Sequence, residues 1–540
     1  MKRSRMGMLV ACALVAASVL AAAPSSAART DRIIVGVRRG VDAQALIRRA
    51  GGTVTYRYHA IEAVAATVPH GSLPSLRRTR GVRFAQPDVK RYVDGFFKPT
   101  APYFGSPEFI PWGVEDIDAD RVWDANGDMR LDAGAPTGAG VMVGVIDNGA
   151  DFGHPDIGSA YDRELSDCFL EPGCSPLDDI AGEAQGHGVA AASVVAAPIN
   201  GVGVVGVAPR ATIVSYRAGD SSTGTLPDSA VLAALDSAIA DHVDVINMSF
   251  GGPAASPAER EMLEVAYARG IVLVASSGNG DDHSGSKPPI EFPAKLPTVI
   301  AVGATDEDRE LADFSSFGND QELVAPGVNL PMDGVRRTGL DSGLTIEGTD
   351  LRVANLALEF SATGTVSGRL QAIGLGTAAD VAAVDLAGKI ALIQRGSITF
   401  AEKVANAAEA GAVGAIIYNN QPGFISATLG EPGAIPTIEI LPEDAETLLD
   451  RMANGPVSAT MRVSKTSYVY WSGTSFAAPH VAGVAALLLS LDASLTPAEV
   501  RRAMDRTATD LGLAGYDHRY GFGLVDACRA VASVGGDCSG

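Results

Sequence analysis

Short apolar segments rich in β-branched residues alternate with helical patterns through the middle of the chain. The strand-like segments lie at 141–146, 211–216, 243–248, 271–275 and 298–302, and the helical patterns at 229–240, 258–269 and 496–507. Strands that are apolar along their whole length are buried on both faces. The alternation therefore predicts an α/β fold, a parallel sheet with helices on both faces, whose functional crevice lies beyond the carboxyl ends of the strands.

Two regions depart from this alternation. Residues 32–92 combine strand-like and helix-like runs, and the Pro-, Gly- and aromatic-rich stretch at 93–111 suits a linker or a cleavage site. Residues 331–463 interrupt the body with valine- and alanine-rich segments around one clear helix at 399–410. We expect a small α+β unit at the front of the chain and a β-rich domain inserted on an exposed loop.

Charge is distributed unevenly along the chain, whose formal net charge is −21. Residues 1–97 hold 16 Lys or Arg against 5 Asp or Glu, whereas the remainder holds 26 against 58. The basic N-terminal part and the strongly acidic remainder indicate two parts of the chain that do not stay together. Phosphate binding needs basic surface, so no nucleic acid is expected as a partner.

The first 28 residues have the layout of a secretory signal peptide. Lys2, Arg3 and Arg5 form a basic start, an apolar stretch follows at 8–23, and small residues lead up to Ala28. A membrane anchor is the weaker alternative, because the apolar run is short and ends in small residues. We therefore expect a secreted, extracellular protein with no membrane anchor.

Four cysteines remain after the signal peptide, in two closely spaced pairs. Cys168 and Cys174 form one pair, and Cys528 and Cys538 the other, so two short-loop disulfides are expected in an oxidising compartment. The spacing alone does not prove the pairing. Metal binding is the weaker alternative, because no nearby histidines complete a zinc pattern.

Asp147 and His187 are the first two candidates for chemistry. Asp147 comes directly after an apolar run, and a carboxylate at the end of a buried strand can orient an imidazole, although a single loop aspartate is common. His187 stands between Gly186 and Gly188 at the start of a run of small residues. Glycine on both sides allows close approach of backbone or substrate.

Ser475 lies at the start of a long apolar helical run at 476–490. A helix N-terminus offers unpaired N–H groups and positive potential, which stabilise an oxyanion, and an ordinary N-cap serine is the simpler alternative. His480 is not its partner, because five residues rotate a helix by about 140° and the two side chains diverge. Asn279, in a Gly-Asn-Gly sequence, is a candidate oxyanion donor, although alone that sequence is only a turn.

The segments around these residues resemble those of the subtilisin-like (subtilase) serine peptidases. The triad order Asp, His, Ser differs from the order in trypsin-like enzymes and α/β-hydrolases. The matching segments, in the family's order, are Val143-Gly144-Val145-Ile146-Asp147, Gly186-His187-Gly188, Ser249-Phe250-Gly251-Gly252, Ser277-Gly278-Asn279 and Gly473-Thr474-Ser475-Phe476-Ala477-Ala478-Pro479. The resemblance that they mark extends over most of residues 111–533 apart from the insert. The serine segment is very specific by itself.

The resemblance implies a role for each matching residue. Asp147, His187 and Ser475 correspond to the catalytic triad, and Asn279 with the backbone N–H of Ser475 corresponds to the oxyanion hole. The residues that look like the substrate-binding edge and the P1 wall are Ser249, Phe250, Gly251, Gly252, Ser277 and Gly278.

The resemblance also implies a domain organisation. A signal peptide at 1–28 precedes a propeptide at 29–97, which in the family is a folding chaperone and inhibitor removed by self-cleavage. The catalytic domain would comprise 98–330 and 464–540, and the insert at 331–463 looks like a protease-associated (PA) domain, a module linked to substrate or partner selection. A monomer is expected.

No cofactor is required for the chemistry that the resemblance implies. Many subtilases bind structural calcium, and the Asn200-Gly201 loop resembles one calcium loop but is short, so no metal ligands are assigned. Two positions beside the triad depart from the family pattern. Asn148 stands where Thr or Ser usually follows the aspartate, and Val189-Ala190 stand where Thr-His is common, which concerns rate or pH optimum more than mechanism.

Together these features predict a secreted serine endopeptidase that cuts polypeptides through an acyl-enzyme on Ser475 and is made as a self-processing precursor. Cleavage after apolar or uncharged residues is expected, because no acidic residue is visible at the predicted P1 wall. A binding protein on an inert or self-processing scaffold is the second hypothesis, supported by the two departures. A lipase or esterase is disfavoured because Ser475 lies outside a Gly-x-Ser-x-Gly motif.

Overall fold

The computed structural model describes residues 29–93, 95–98, 100–101, 108–178, 185–280, 289–425 and 427–538. The predicted signal peptide at 1–28 lies outside the described residues. The described chain forms an N-terminal unit, a parallel sheet with helices on both faces and an inserted unit. The fold class predicted from the hydrophobic pattern is therefore confirmed.

The N-terminal unit is a four-stranded antiparallel sheet with two helices on one face. Its strand order is β2-β3-β1-β4, and its elements are β1 (Thr30–Val37), α1 (Ala43–Arg49), β2 (Thr53–Arg57), β3 (Ala63–Pro69), α2 (Leu73–Arg77) and β4 (Val82–Pro87). Successive residues of a strand point to opposite faces. Ile33 and Val35 therefore pack with α1 and α2, whereas Ile34 packs against the body of the protein.

The body is built on a parallel sheet of seven strands. Three short strands lead into it, β5 (Lys90–Val93), β6 (Phe96–Lys98) and β7 (Thr100–Ala101). The elements that follow are α3 (Trp112–Asp116), α4 (Asp120–Trp123), β8 (Met142–Asp147), a 3-10 turn (Ile157–Ser159), β9 (Asp167–Cys168), α5 (His187–Ala196), β10 (Thr212–Arg217), β11 (Thr225–Pro227), α6 (Asp228–Ala240), β12 (Val245–Met248), β13 (Phe250–Gly251), α7 (Pro257–Ala268), β14 (Val272–Ser276), β15 (Ile300–Thr305) and β16 (Leu323–Pro326).

The sheet order is β16-β15-β14-β12-β8-β10-β9, and each face has its own apolar core. Val272 and Val274 of β14 face the side that holds α5, whereas Leu273 and Ala275 face the side that holds α6 and α7. Burial on both faces explains why these strands are apolar along their whole length.

An inserted unit separates β17 (Leu330–Asp333) from its partner β25 (Tyr468–Ser472), to which β17 pairs antiparallel. Strands β20 to β23 are parallel, and β24 pairs antiparallel with β18 and β20. The elements of the insert are β18 (Gly339–Ile346), β19 (Asn355–Ala357), β20 (Gly364–Ala372), α8 (Ala378–Ala382), β21 (Ile390–Gln394), α9 (Phe400–Glu409), β22 (Gly414–Tyr418), β23 (Thr437–Ile440), α10 (Pro442–Asn454) and β24 (Ser458–Thr466). Residues 331–333, assigned to the insert from the sequence pattern, lie in β17.

Three helices complete the body: α11 (Thr474–Leu491), α12 (Pro497–Thr507) and α13 (Ala527–Ser533). Within the described residues one helix, α11, has the length and composition to cross a membrane, and 89% of it is buried inside the protein. It packs beside α5 against the central sheet strands. The expected disulfides are present, as Cys168–Cys174 and Cys528–Cys538.

The described parts of the segment between the N-terminal unit and the body are three short strands, of which β5 lies in a cleft. Strand β5 is central in a three-stranded sheet, antiparallel to β11 on one side and to β13 on the other. Farther along, β6 pairs antiparallel with β25, and β7 pairs parallel with β18 of the insert. Because β11 follows β10 and β13 follows β12, this segment crosses the carboxyl end of the parallel sheet.

Candidate active site

Asp147 and His187 meet at the carboxyl end of the central sheet. Asp147 is the last residue of β8, and His187 is the first residue of α5. The His187 Nδ1 lies 2.9 Å from each carboxylate oxygen of Asp147, and both side chains are 1% exposed. The backbone N–H of Asn148 donates to Asp147 Oδ1 at 2.8 Å. A carboxylate in this position holds the imidazole proton on Nδ1, which leaves Nε2 as the basic nitrogen.

The glycines on both sides of His187 allow this approach. Gly186 has a φ of 77°, in the left-handed region that glycine adopts without strain. A Cβ on Gly188 would lie 2.6 Å from the Gly149 carbonyl oxygen and 3.0 Å from Asp147 Cβ. A larger residue at position 188 would push α5 away from Asp147, so the close approach that the sequence predicts depends on this glycine.

Ser475 lies in the first turn of α11, and Ser249 is bonded to it. Pro479 has no N–H, so the Ser475 carbonyl lacks its usual helical donor. Ser249 Oγ donates to that carbonyl oxygen at 2.6 Å, and Ser475 Oγ donates to the Ser249 carbonyl oxygen at 3.2 Å. This reciprocal pair joins the start of α11 to the end of β12.

The Ser475 hydroxyl donates to the Ser249 carbonyl and makes no hydrogen bond to His187 Nε2 in this structure. His187 Nε2 is buried and has no hydrogen-bond partner among the described residues. Rotation about χ1 redirects a serine hydroxyl between staggered positions, and catalytic hydrogen bonds often form only with substrate bound. The imidazole itself is held by two rings, with the centroids of Trp471 and Phe476 5.5 Å and 5.0 Å away.

Asn279 is oriented by Thr474, a residue that the sequence reasoning did not assign. The backbone N–H and the Oγ1 hydroxyl of Thr474 donate to Asn279 Oδ1 at 2.8 Å and 2.7 Å. The backbone N–H of Gly278 donates in turn to Thr474 Oγ1 at 3.2 Å. Because the amide oxygen accepts both bonds, the Nδ2 group is the end of Asn279 that is turned away from Thr474. The position of Thr474 directly before Ser475 was the available signal.

The predicted substrate-binding residues border the cleft that β5 occupies. In the register of β13, Phe250 is opposite Val93 and Gly251 is opposite Tyr92. Across the cleft, the backbone N–H of Val93 donates to the carbonyl of Gly224 at 2.9 Å. The other predicted residues flank β13 or follow β14; they are Ser249, Gly252, Ser277 and Gly278.

A small cavity of about 150 Å³ lies where this strand reaches the candidate site. His187 and Trp471 line one part of it, and Val93, Gly95 and the loop at 222–224 line the rest. The chain's own segment therefore passes beside the imidazole.

Glu291 stands at the predicted P1 wall, where no acidic residue was expected. A Cβ on Gly251 would lie 1.9 Å from Glu291 Oε2, and a Cβ on Gly278 would lie 2.9 Å from Glu291 Cγ. The backbone N–H of Glu291 also donates to the Ser277 carbonyl at 3.0 Å. The premise behind the expected apolar or uncharged residue before the cleaved bond is therefore wrong, and the preference itself stays a prediction.

The two departures from the family pattern have structural explanations. Asn148 Oδ1 accepts a 2.9 Å hydrogen bond from the backbone N–H of Gly188, so its amide joins the loop after β8 to the first turn of α5. Val189 and Ala190 are completely buried among apolar side chains. Neither departure separates Asp147 from His187.

His480 is a buried packing residue, as the helical spacing predicts. Its Nδ1 lies 2.8 Å from the Phe476 carbonyl oxygen, and burial lowers the pKa of His480 to about 4, so the ring is neutral. Within the described ranges, no group of three or more His, Cys, Asp or Glu residues is arranged to hold a metal ion. Structural calcium stays a prediction without assigned ligands.

Comparisons with known proteins identify the family to which this chain belongs. The model of the Subtilase family matches residues 138–367 and 406–523, and the model of the PA domain matches 361–448. The minor extracellular protease Vpr of Bacillus subtilis is 27% identical over 503 residues, or 82% of this chain, which spans 56% of that relative. Subtilisin J of Geobacillus stearothermophilus is 31% identical over 321 residues, 58% of this chain and 75% of the relative.

Two solved structures have the same fold. The psychrophilic subtilisin-like protease Apa1 from Pseudoalteromonas sp. AS-11 superposes with a TM-score of 0.55 at 26% identity, covering 80% of this chain and 99% of that one. Fervidolysin from Fervidobacterium pennivorans gives a TM-score of 0.58 at 20% identity, covering 93% and 61%. The chain belongs to the Subtilase family of serine peptidases and carries a PA domain.

Proposed function

We propose that this protein is a secreted serine endopeptidase that hydrolyses peptide bonds of proteins through an acyl-enzyme on Ser475. In this proposal Ser475 Oγ attacks the scissile carbonyl, and His187 Nε2 takes the hydroxyl proton and later gives it to the leaving amine. Asp147 holds the imidazole and stabilises its cationic form. Secretion is supported by the predicted signal peptide and by relatives that are named extracellular proteases.

The developing oxyanion would be stabilised by the Nδ2 group of Asn279 and the backbone N–H of Ser475. The start of α11 adds positive potential at this point. The bonds from Thr474 support this role, since they fix the Asn279 amide before any substrate arrives. No cofactor takes part in these steps.

The observation that carries the proposal is the course of β5 through the cleft. Val93 is opposite Phe250, which directly follows Ser249, and the Ser249 carbonyl accepts from Ser475 Oγ. An extended peptide bound in this register presents a peptide bond to Ser475. We infer that the precursor cuts itself after residue 94, and that the upstream fragment then remains as an inhibitor of the cleft.

The experiment compares the wild-type full chain with Ser475→Ala, and with Ser494→Ala as a control beyond the far end of α11. Wild type and Ser494→Ala should react with a fluorophosphonate, digest casein and yield a mature N-terminus at Gly95. Ser475→Ala should do none of these and accumulate uncut. A wild-type protein that digests nothing after losing its N-terminal unit would favour the inert scaffold instead.

A further inference from the structure

Arg91, a residue of β5, fills a buried acidic pocket of the body. Its side chain is 1% exposed. The Nη2 group lies 2.6 Å from Glu259 Oε2 and 3.6 Å from Asp228 Oδ1, and Nη1 donates to the Ala254 carbonyl at 2.6 Å. Two carboxylates therefore surround a single guanidinium group.

The walls of this pocket belong mostly to the body. Asp228 is the first residue of α6, and Glu259 lies in the first turn of α7, and these helices pack against each other. A Cβ on Gly252 would lie 2.8 Å from Arg91 Nη1, so the glycine leaves the space that the guanidinium occupies. Of the polar neighbours, Gln86, which donates to Asp228 Oδ2 at 3.1 Å, leaves together with the N-terminal unit.

Once Arg91 departs, this pocket holds two carboxylates without a cation. Asp228 is completely buried, Glu259 is 1% exposed, and one oxygen of each carboxylate has no hydrogen-bond partner among the described residues even with Arg91 bound. Buried charges are strongly unfavourable unless they are paired. A cationic side chain that enters the pocket is therefore favoured over an apolar one, and an anionic one is repelled.

The strand register brings substrates to the same pocket. Arg91 is opposite Leu226 of β11, and Val93, two residues later, is opposite Phe250. A substrate strand that continued in this register would bring its next residue to Ser249 and Ser475. Side-chain direction along a strand is fixed by register. A substrate strand bound between β11 and β13 therefore places the side chain of its fourth residue before the cleaved bond in the pocket of Asp228 and Glu259.

We propose that this pocket selects substrates with a basic residue, arginine above lysine, as the fourth residue before the cleaved bond. The inference rests on the proposed function and names the substrate class of that site. Arginine is preferred because its fork of donors reaches Glu259 Oε2 and the Ala254 carbonyl together, as Arg91 does. The competing interpretation is that the pocket binds the precursor's own Arg91 and has no effect on other substrates.

The test uses wild-type protein that was expressed as the full chain and has then matured. Its substrates are internally quenched peptides with the sequence of residues 88–97. The position of Arg91 carries arginine, citrulline, leucine or glutamate in turn. Citrulline keeps the shape of arginine and removes its charge. Arginine should raise kcat/KM roughly 10- to 100-fold over citrulline and leucine, the range for a hydrogen-bonded charge, with glutamate slowest. Equal rates for arginine, citrulline and leucine would overturn the proposal.

Variants of α7 provide a matched control. Glu259→Gln should reduce the ratio of arginine to citrulline rates severalfold or more, whereas Glu261→Gln, whose carboxylate pairs with Arg83 at the surface, should leave that ratio unchanged. Asp228→Asn is the second pocket variant if Glu259→Gln fails to mature. Retention of the full ratio in both pocket variants would contradict the assignment.

The proposed function and this inference fail in different ways. If the matured wild-type protein cuts neither casein nor any of the peptides, the proposal that it is an endopeptidase is rejected. If it cuts casein and all four peptides at similar rates, the activity stands and the arginine selectivity alone is rejected.

Discussion

The two halves of the segment that crosses the candidate active site are bound differently. The upstream half, β5, is paired along both edges by β11 and β13, and its Arg91 is buried between two carboxylates. The downstream half, β6, is an edge strand that pairs with β25. The upstream half also continues into a unit whose sheet packs against α6 and α7.

This difference indicates where substrate recognition lies. If the chain is cleaved as proposed, main-chain pairing on two edges and a buried ion pair would hold the residues before the cleaved bond, whereas pairing on one edge would hold the residues after it. Cleavage would therefore release the downstream side first and leave the upstream product in the cleft. The same contacts that select a substrate would make the N-terminal unit an inhibitor.

The largest expected effect is on the chemical step and not on the binding of either side of the substrate. Asn279→Ala removes the side-chain donor to the oxyanion and should lower kcat by roughly 10²–10³, with little change in KM. The variant should affect peptides with arginine or citrulline at the Arg91 position equally. A rise in KM with unchanged kcat would mean that Asn279 binds substrate and does not stabilise the transition state.

The second effect tests the comparison directly. Peptides with the sequences of residues 88–94 and 95–101 are assayed as inhibitors of the matured protein. The upstream peptide should bind at least about tenfold more tightly, because it alone can form the buried charge-assisted hydrogen bonds of Arg91. Replacing arginine by leucine should remove most of this difference. Equal inhibition by both peptides would refute the asymmetry.

The third effect acts through the upstream pocket alone. Burial raises the pKa of Glu259 to about 8 and also raises that of Asp228. Arg91 opposes both shifts, and Arg260 opposes that of Glu259. Below its pKa a carboxyl group is neutral and attracts a cation less. The arginine-to-citrulline ratio of kcat/KM should therefore increase severalfold from about pH 6 to about pH 9. A ratio that stays flat or falls would contradict an ionising pocket.

The smallest effect concerns an exposed contact of the same N-terminal unit. Arg83 and Glu261 form an ion pair at 2.8 Å with side chains 35% and 30% exposed. Exposed pairs contribute roughly 0–1 kcal/mol, because water and salt screen them. Glu261→Gln should therefore change the rate of maturation by less than about threefold, measured by the loss of precursor over time. A larger loss would show that surface contacts, and not the cleft, dominate docking.

The sequence alone was enough to predict the parallel sheet and to nominate Asp147, His187 and Ser475, whose catalytic roles stay predictions. Strands buried on both faces must be apolar throughout, so β8 and β12 were visible as short runs without any structure. Asp147, His187 and Ser475 lie in short segments whose glycines and helix start have local meaning, so their candidacy followed from neighbours in the chain.

Only the tertiary structure decided the charges that surround a bound peptide. Glu259 pairs with a residue 168 positions away, and Glu291 lies against Gly251 and Gly278 across the cleft. In sequence, an acidic residue in the first turn of a helix is typical of a solvent-exposed face. Whether such a charge is buried, and what it then selects, depends on which distant segments the fold brings to it, because the cost of burial is offset only by partners in space.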